Sequence, residues 1–205
     1  ALRRLISLQT LKAPKEKIFD ASLWIFVASL FHFWAILFII LVYISIFFHV
    51  SRDYRNWLIP FVSLFTTVVI YVLFSLILNH DISQNLFSIG VVDFKMNYFK
   101  NNYQNLALSM FAVVSVFFLF SKMIALTNRP LVLQASYKKV IISFIIGVII
   151  FLISPNKSSD ILLFTFFPLA VMATNNIEYS KNKINQELAI GLTIILAFCS
   201  FFLQL

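Results

Sequence analysis

The feature that most constrains this chain is a long apolar stretch near its start. Residues 21–50 include no Asp, Glu, Lys or Arg, and two histidines and three serines are their most polar side chains. A single helix of that length would be about 45 Å long, whereas the hydrocarbon core of a bilayer is about 30 Å thick. The stretch is therefore either one long, tilted helix or two short helices that fold back on each other.

The composition of the whole chain indicates a membrane protein. Hydrophobic residues make up 61% of the sequence and charged residues 12%, and the mean hydropathy is +0.94. Soluble domains average about 25% charged residues. We therefore expect an all-α, polytopic transmembrane helical bundle that forms a single domain over residues 1–205. Because the chain begins with Ala1-Leu2-Arg3-Arg4, we expect it to be the C-terminal part of a longer chain.

About seven spans are predicted, with a helical hairpin at 18–50 that turns near Phe31-His32-Phe33. The predicted spans are 18–31, 33–50, 57–79, 105–126, 140–154, 161–174 and 188–205. Pro60 is expected in the first turn of its span, where a missing N–H costs nothing. Lys122, near the end of its span, is expected to extend its ammonium group towards the interface.

The distribution of lysine and arginine favours the hairpin over a single long helix. With one span over 18–50, the 16 basic residues divide equally between the two sides of the membrane. With a hairpin, 13 lie on one side and 3 on the other, which agrees with the excess of basic residues in short cytoplasmic loops. The N-terminal tail and the loops 51–56, 127–139 and 175–187 are then cytoplasmic, and the C-terminus is periplasmic.

The N-terminal residues predict a short amphipathic helix on the cytoplasmic side. Leu2, Leu5, Ile6 and Leu8 share one helical face, and Ala13-Pro14 should end the helix. The outer loop 80–104 is rich in apolar residues, so we expect it to lie in the headgroup layer or to pack on a partner. With only three glycines, close helix packing through small residues is not the expected arrangement.

Four residues are candidates for structural polar roles, with a functional alternative for some. Asp20 precedes an apolar helical run and is interpreted as an N-cap, with ion or substrate binding as the alternative. His32 lies at the proposed turn, where it is either wetted at the interface or functional. Asp160 is a candidate cap for the following span, and Pro168 is a candidate kink within it.

The remaining candidates are charged residues outside the predicted spans. Arg52 and Arg55 either belong to a salt-bridged loop or contact a phosphate or lipid headgroup, because arginine matches phosphate geometry. His80, Asp81 and Asp93 in the outer loop are weak candidates for catalysis. A metal site needs further ligands that the sequence does not offer, and we expect no metal and no cofactor.

Several stretches resemble a known family. They are RRLISLQT, KIFDASLWIFVASLFHFWAILFI, SRDYRNWLIPFVSLF, DILLFTFFPLAVMA and the terminal FFLQL. Together they are similar to an uncharacterised domain-of-unknown-function family of polytopic inner-membrane proteins from Bacteroidota. The resemblance covers nearly the whole chain and implies a topology but no activity. A fainter likeness, through the short span with Pro168, is to multi-span lipid-linked sugar transferases.

These observations favour an integral inner-membrane protein that acts as a non-catalytic scaffold or anchoring subunit of a membrane complex. The expected partners are the lipid bilayer and other membrane subunits, with no nucleic acid. One alternative is an enzyme of polyprenyl-phosphate-linked glycan transfer, and a second is a transporter of small solutes or lipids. No acidic residue lies in the middle of a predicted span, which argues against a proton- or cation-coupled transporter.

Overall fold

The computed structural model of the protein describes residues 1–50, 53–78, 102–127, 130–155 and 159–179, together with single residues between 184 and 198. Every element in this part of the chain is a helix, which confirms the all-α class. The α-helices are α1 (Leu2–Ser7), α2 (Pro14–Phe31), α3 (Ile39–His49), α4 (Arg55–Leu78), α5 (Asn102–Thr127), α6 (Leu131–Ile153) and α7 (Leu163–Tyr179). Three 3-10 segments accompany them, at Leu8–Thr10, Phe33–Phe38 and Ser159–Leu162.

Three helices are long and apolar enough to cross a membrane. The qualifying segments are Arg55–Ile77 in α4, Asn105–Ile124 in α5 and Leu133–Ile153 in α6, with mean hydropathies of 2.2, 2.1 and 2.1. Each has 20 residues or more, so at about 1.5 Å per residue it matches the ~30 Å hydrocarbon core. The stretch Phe33–His49 is apolar but shorter.

The chain forms two compact units. The first contains Ala1–Asp93 and Ile145–Pro155, and the second contains Phe94–Phe144 and Asn156–Leu205. The first unit therefore holds α1 to α4 with the last part of α6. The second holds α5, the first part of α6, and α7.

The N-terminal helix forms as predicted and packs on α2 in the first unit. Leu2, Leu5 and Leu8 of the predicted apolar face are buried, and Ile6 is half-buried. After the following 3-10 segment, Leu11 and Ala13 adopt left-handed backbone with φ of 53° and 45°. Left-handed backbone cannot continue a right-handed helix, so the chain turns sharply between α1 and α2. Pro14 then starts α2, where its missing N–H is not needed.

The apolar stretch 21–50 is not one continuous helix. Helix α2 ends at Phe31, and His32 has extended backbone with φ of −139° and ψ of 104°. The 3-10 segment Phe33–Phe38 and α3 follow, and both pack against α2. The break lies where the sequence predicted a turn, although no glycine or proline marks it.

An ion pair shows that the chain returns to its starting end. Lys15, at the second position of α2, lies 3.6 Å from the carboxylate of Asp53, which immediately precedes α4. Helices α2 and α4 also pack along each other. Since both helices begin at this end, residues 33–49 must run back towards it. Arg4, Lys15 and Arg55 are therefore found at one end of the first unit.

The packing face of α4 is small and polar, and its outer face is large and apolar. Ser63, Thr67 and Ser75 are buried on one helical stripe, while Phe61 and Phe65 are 62% and 70% exposed. This arrangement is the reverse of a helix in a water-soluble bundle and is typical of a helix surrounded by lipid. Small serine and threonine side chains on α4 allow neighbouring helices to approach, as glycine does in other membrane proteins. The low glycine count did not predict this packing through small residues.

Two helix starts differ from the sequence-based expectation. The residues 131–139 were expected in a cytoplasmic loop, but they form the first part of α6 because Pro130 offers its carbonyl to Leu133 and Gln134, at 2.9 and 3.1 Å. Helix α4 begins at Arg55, so Pro60 lies within the helix rather than in its first turn. The carbonyl of Pro60 accepts a hydrogen bond from Ser63 Oγ at 2.8 Å.

Candidate functional site

The charged residues that the structure describes in the first unit lie in α1, in the turn after it, in the first two turns of α2 and next to the start of α4. Arg4 Nε contacts Asp20 Oδ2 at 3.2 Å, joining α1 to α2. Lys17 Nζ donates to the carbonyl of Ser7 and to Thr10 Oγ1, at 2.8 and 2.9 Å. The predicted N-cap role of Asp20 is wrong, because α2 begins six residues earlier, at Pro14. Its carboxylate instead holds α1 in place.

Arg55 lies at the same end of the unit, in the first turn of α4. Its backbone N–H donates to Asp53 Oδ1 at 3.1 Å, so Asp53 caps the helix. Its guanidinium carbon lies 6.0 Å from the ring centroid of Tyr54. The side chain of Arg55 is exposed and available to an anion. Arg52, its predicted companion, lies outside the described residues.

His32, Asp160 and Pro168 each lie within a helical segment or next to one. His32 is the bend residue between α2 and the next 3-10 segment, and burial lowers its pKa below the ordinary 6.5, so the imidazole is neutral at pH 7. Asp160 belongs to the 3-10 segment before α7. Pro168 is buried inside α7. His32 belongs to the first unit, and Asp160 and Pro168 belong to the second.

The three outer-loop candidates, His80, Asp81 and Asp93, lie outside the described residues, so catalysis by them stays a prediction. Among the residues that the structure describes, no three His, Cys, Asp or Glu side chains are grouped to hold a metal ion.

Six buried hydroxyl groups donate to backbone carbonyls three or four positions earlier in the chain. Ser22 donates to the carbonyl of Ile18 and Ser45 to that of Leu41, both at 2.7 Å. Thr67 donates to the carbonyl of Ser63 at 2.8 Å. The same pattern holds for Ser63, Ser115 and Thr165. Such bonds satisfy the hydroxyl donor without a partner helix.

Two lysines are buried, which the sequence pattern did not predict. Lys122 on α5 is 4% exposed, and its ammonium nitrogen lies 3.5 Å from the ring centroid of Tyr137 on α6. It therefore makes a cation–π contact with this ring. Lys139 is fully buried on α6, with Ser136 and Ser143 on the same face. The sequence feature that could have indicated the burial of Lys139 is the helix-forming run 131–139. This run extends the predicted span towards the N-terminus, so that Lys139 lies inside the helix.

Asn56, at the junction of α3 and α4, is another buried polar residue that the sequence pattern did not single out. It is 1% exposed, and its amide Nδ2 donates to the carbonyl of Val50 at 3.1 Å. Next to it, Trp57 stacks on Tyr43 with ring centroids 5.8 Å apart. These contacts hold the end of α3 against the start of α4.

A family model matches residues 2–205, nearly the whole chain, and the family it describes is one of unknown function. No curated protein and no solved structure matches the chain.

Proposed function

The chain belongs to DUF6427, a family of unknown function, and from its residues we propose that it is a non-catalytic scaffold or anchoring subunit of a membrane complex. The observation that carries this proposal is the set of contacts made by the polar side chains of the described residues. Buried hydroxyls bond their own helices, and the ion pairs join neighbouring helices. These contacts hold a bundle together and leave no assembled catalytic group among the described residues.

The proposed topology has seven spans in the bacterial inner membrane. Three spans are supported by helix length and composition, and two more by the arms on either side of His32. The shared end of α2 and α4 supports a cytoplasmic tail, because it collects basic residues as cytoplasmic loops do. With seven crossings, the C-terminus is periplasmic.

The partner subunits are proposed to contact the large apolar side chains of the spans. On α4 and α5 these side chains are exposed over most of each helix. Isolated apolar residues on a surface are ordinary, whereas continuous apolar faces mark contact with lipid or with another membrane protein. Such faces can bury apolar surface against a partner subunit without polar contacts, as expected of an anchoring subunit.

Site-specific photo-crosslinking in cells tests the proposal. A photoreactive residue at Phe65 on α4 or Phe117 on α5, which are 70% and 60% exposed, should give a discrete protein adduct. The same residue at the buried Ser63 is the matched control. The adduct partner should also co-purify in mild detergent at a fixed stoichiometry. Lipid adducts alone at all exposed positions, with isolation of a stable single chain, would refute the proposal.

A second candidate function is polyprenyl-phosphate-linked glycan transfer. It is favoured by the two buried lysines, because ionised groups within a membrane bundle are rare and are commonly functional. Lys122 and Lys139 would serve an anionic phosphate. Lys139→Gln should then abolish the envelope glycan, while Lys138→Gln, at an exposed neighbouring position, should leave it intact. Unchanged glycans in both variants would exclude this role.

A further inference from the structure

Three segments of the first unit are tied together at the end where α2 and α4 begin. The Arg4–Asp20 ion pair of 3.2 Å fixes α1 on α2, and the Lys15–Asp53 ion pair of 3.6 Å fixes α2 on the start of α4. Lys17 closes the 3-10 segment after α1 through two hydrogen bonds. The basic residues of these segments are thereby held at one end of the first unit rather than on a free tail.

This end of the first unit carries more positive than negative charge. Its exposed basic side chains are Arg3, Arg4, Lys12, Lys15 and Arg55, which we call the basic platform. Counting Lys17, the described part of this end has six basic residues against three acidic ones, Glu16, Asp20 and Asp53. Asp20 and Asp53 are already engaged in ion pairs. The platform therefore keeps an excess of positive charge at its surface.

Aromatic residues indicate that the platform lies at the level of the lipid headgroups. Tyr54 and Trp57 stand at the start of the span in α4, 71% and 37% exposed, and Trp57 stacks on Tyr43. Tyrosine and tryptophan are enriched at this depth because their rings are both apolar and polar. Since Lys15 contacts Asp53, the start of α2 lies at the same level as these rings.

The turn between α1 and α2 presents an apolar residue beside a basic one. Leu11 has left-handed backbone and is 59% exposed, although its neighbour Leu8 is fully buried. Lys12, directly after it, is also exposed. A leucine next to a cation on an exposed turn is the pattern by which interfacial segments enter a bilayer surface.

We propose that the basic platform binds the phosphate groups of anionic phospholipids in the leaflet it faces, with Leu11 entering the acyl region between them. The membrane supplies this occupant at the depth marked by Tyr54 and Trp57. Arginine adds geometric fit, since its planar donors match two phosphate oxygens at once. This inference goes beyond the scaffold role and needs only that the chain is inserted in a membrane.

Binding of short-chain lipids to the full chain in neutral detergent tests the proposal. The probes are dioctanoyl-phosphatidylglycerol, dioctanoyl-phosphatidylcholine and inorganic phosphate, each titrated by isothermal calorimetry. The test variant is the triple change Arg3→Gln, Lys12→Gln and Arg55→Gln, which leaves both described ion pairs intact. Lys138→Gln, an exposed lysine of the other unit, is the matched control.

We expect phosphatidylglycerol to bind more tightly than phosphatidylcholine, and the triple change to weaken its binding by roughly 100-fold, from about a factor of five for each cation near an anionic surface. The control should bind as the unmodified chain does. Leu11→Ser should weaken phosphatidylglycerol binding and leave that of inorganic phosphate unchanged.

Three results would overturn the proposal. Equal binding of both lipids would remove the role of charge. Undiminished phosphatidylglycerol binding by the triple variant, with its circular dichroism unchanged, would place the lipid elsewhere. Inorganic phosphate that binds as tightly as phosphatidylglycerol would identify a site for the free anion. If the triple variant loses its fold, two other measurements test the proposal. Leu11→Ser should weaken phosphatidylglycerol binding, and added salt should weaken it in the unmodified chain, because salt screens contacts between exposed charges. Phosphatidylglycerol binding that changes in neither case would overturn the proposal.

Discussion

The return of the chain to its starting end can be tested by one distance between spin labels. Labels are placed at Glu16 and Tyr54, which are exposed and adjoin the two partners of the Lys15–Asp53 ion pair, in a background with Cys199→Ser. The charged atoms of that pair are 3.6 Å apart. With the reach of two side chains and two labels added, we expect a distance of roughly 20 Å. A single helix through 21–50 would separate the labels by at least ~45 Å.

Double electron–electron resonance in nanodiscs measures this distance. Labels at Tyr54 and Ile77, the two ends of the span in α4, calibrate it, since 23 residues of helix extend about 35 Å. If the distance between labels at residues 16 and 54 equals or exceeds the distance between labels at residues 54 and 77, the chain does not return to the end where α2 begins. The shared end of the basic residues, the seven-span topology and the basic platform would fail with it.

Other predictions concern the stability of each unit, measured by thermal unfolding in detergent. Leu5→Ala, at a fully buried position, should cost about 2–5 kcal/mol, whereas Leu11→Ala at an exposed one should cost less than about 0.5 kcal/mol; equal costs would show that α1 does not dock on α2. Asp20→Asn should cost less than about 1 kcal/mol, because both side chains of its ion pair are partly exposed; a cost of several kcal/mol would contradict this. A double-mutant cycle with Lys122→Met and Tyr137→Leu should give a coupling energy of about 0.5–2 kcal/mol, and a value of zero would contradict the cation–π contact.

The buried lysines show how a helix boundary changes the interpretation of a residue. The sequence pattern placed Lys139 in a loop because charged residues interrupt the apolar run at that point. Residues 131–139 favour helix by their own propensities, and Pro130 provides a start, so α6 extends further than the apolar pattern. Lys139 then lies on the same face as Ser143 and is buried with it. The burial of Lys139 is therefore determined by its position on the packed face of α6 and not by its charge.

Asp20 shows a related limit of local patterns. An aspartate before an apolar run is a reasonable helix start, and nothing within a few residues of Asp20 contradicts it. The N-terminus of α2 was set instead by Pro14 and by the left-handed turn before it, which the docking of α1 stabilises. The partner of Asp20, Arg4, lies sixteen positions away and could be identified only in three dimensions.

By itself, the sequence determined the helical class, the presence of helices long and apolar enough to cross a membrane, the amphipathic face of α1 and the break at His32. These features follow from properties that act within a few turns of helix: hydropathy, periodicity and the sidedness of basic residues. Only the tertiary structure decided which face of each helix is buried, that α4 packs through Ser63 and Thr67, and that Lys15 meets Asp53. In a lipid environment apolar residues are favourable on the outside of a helix as well as the inside, so hydrophobicity alone does not indicate the packing face, and close contact between small residues does.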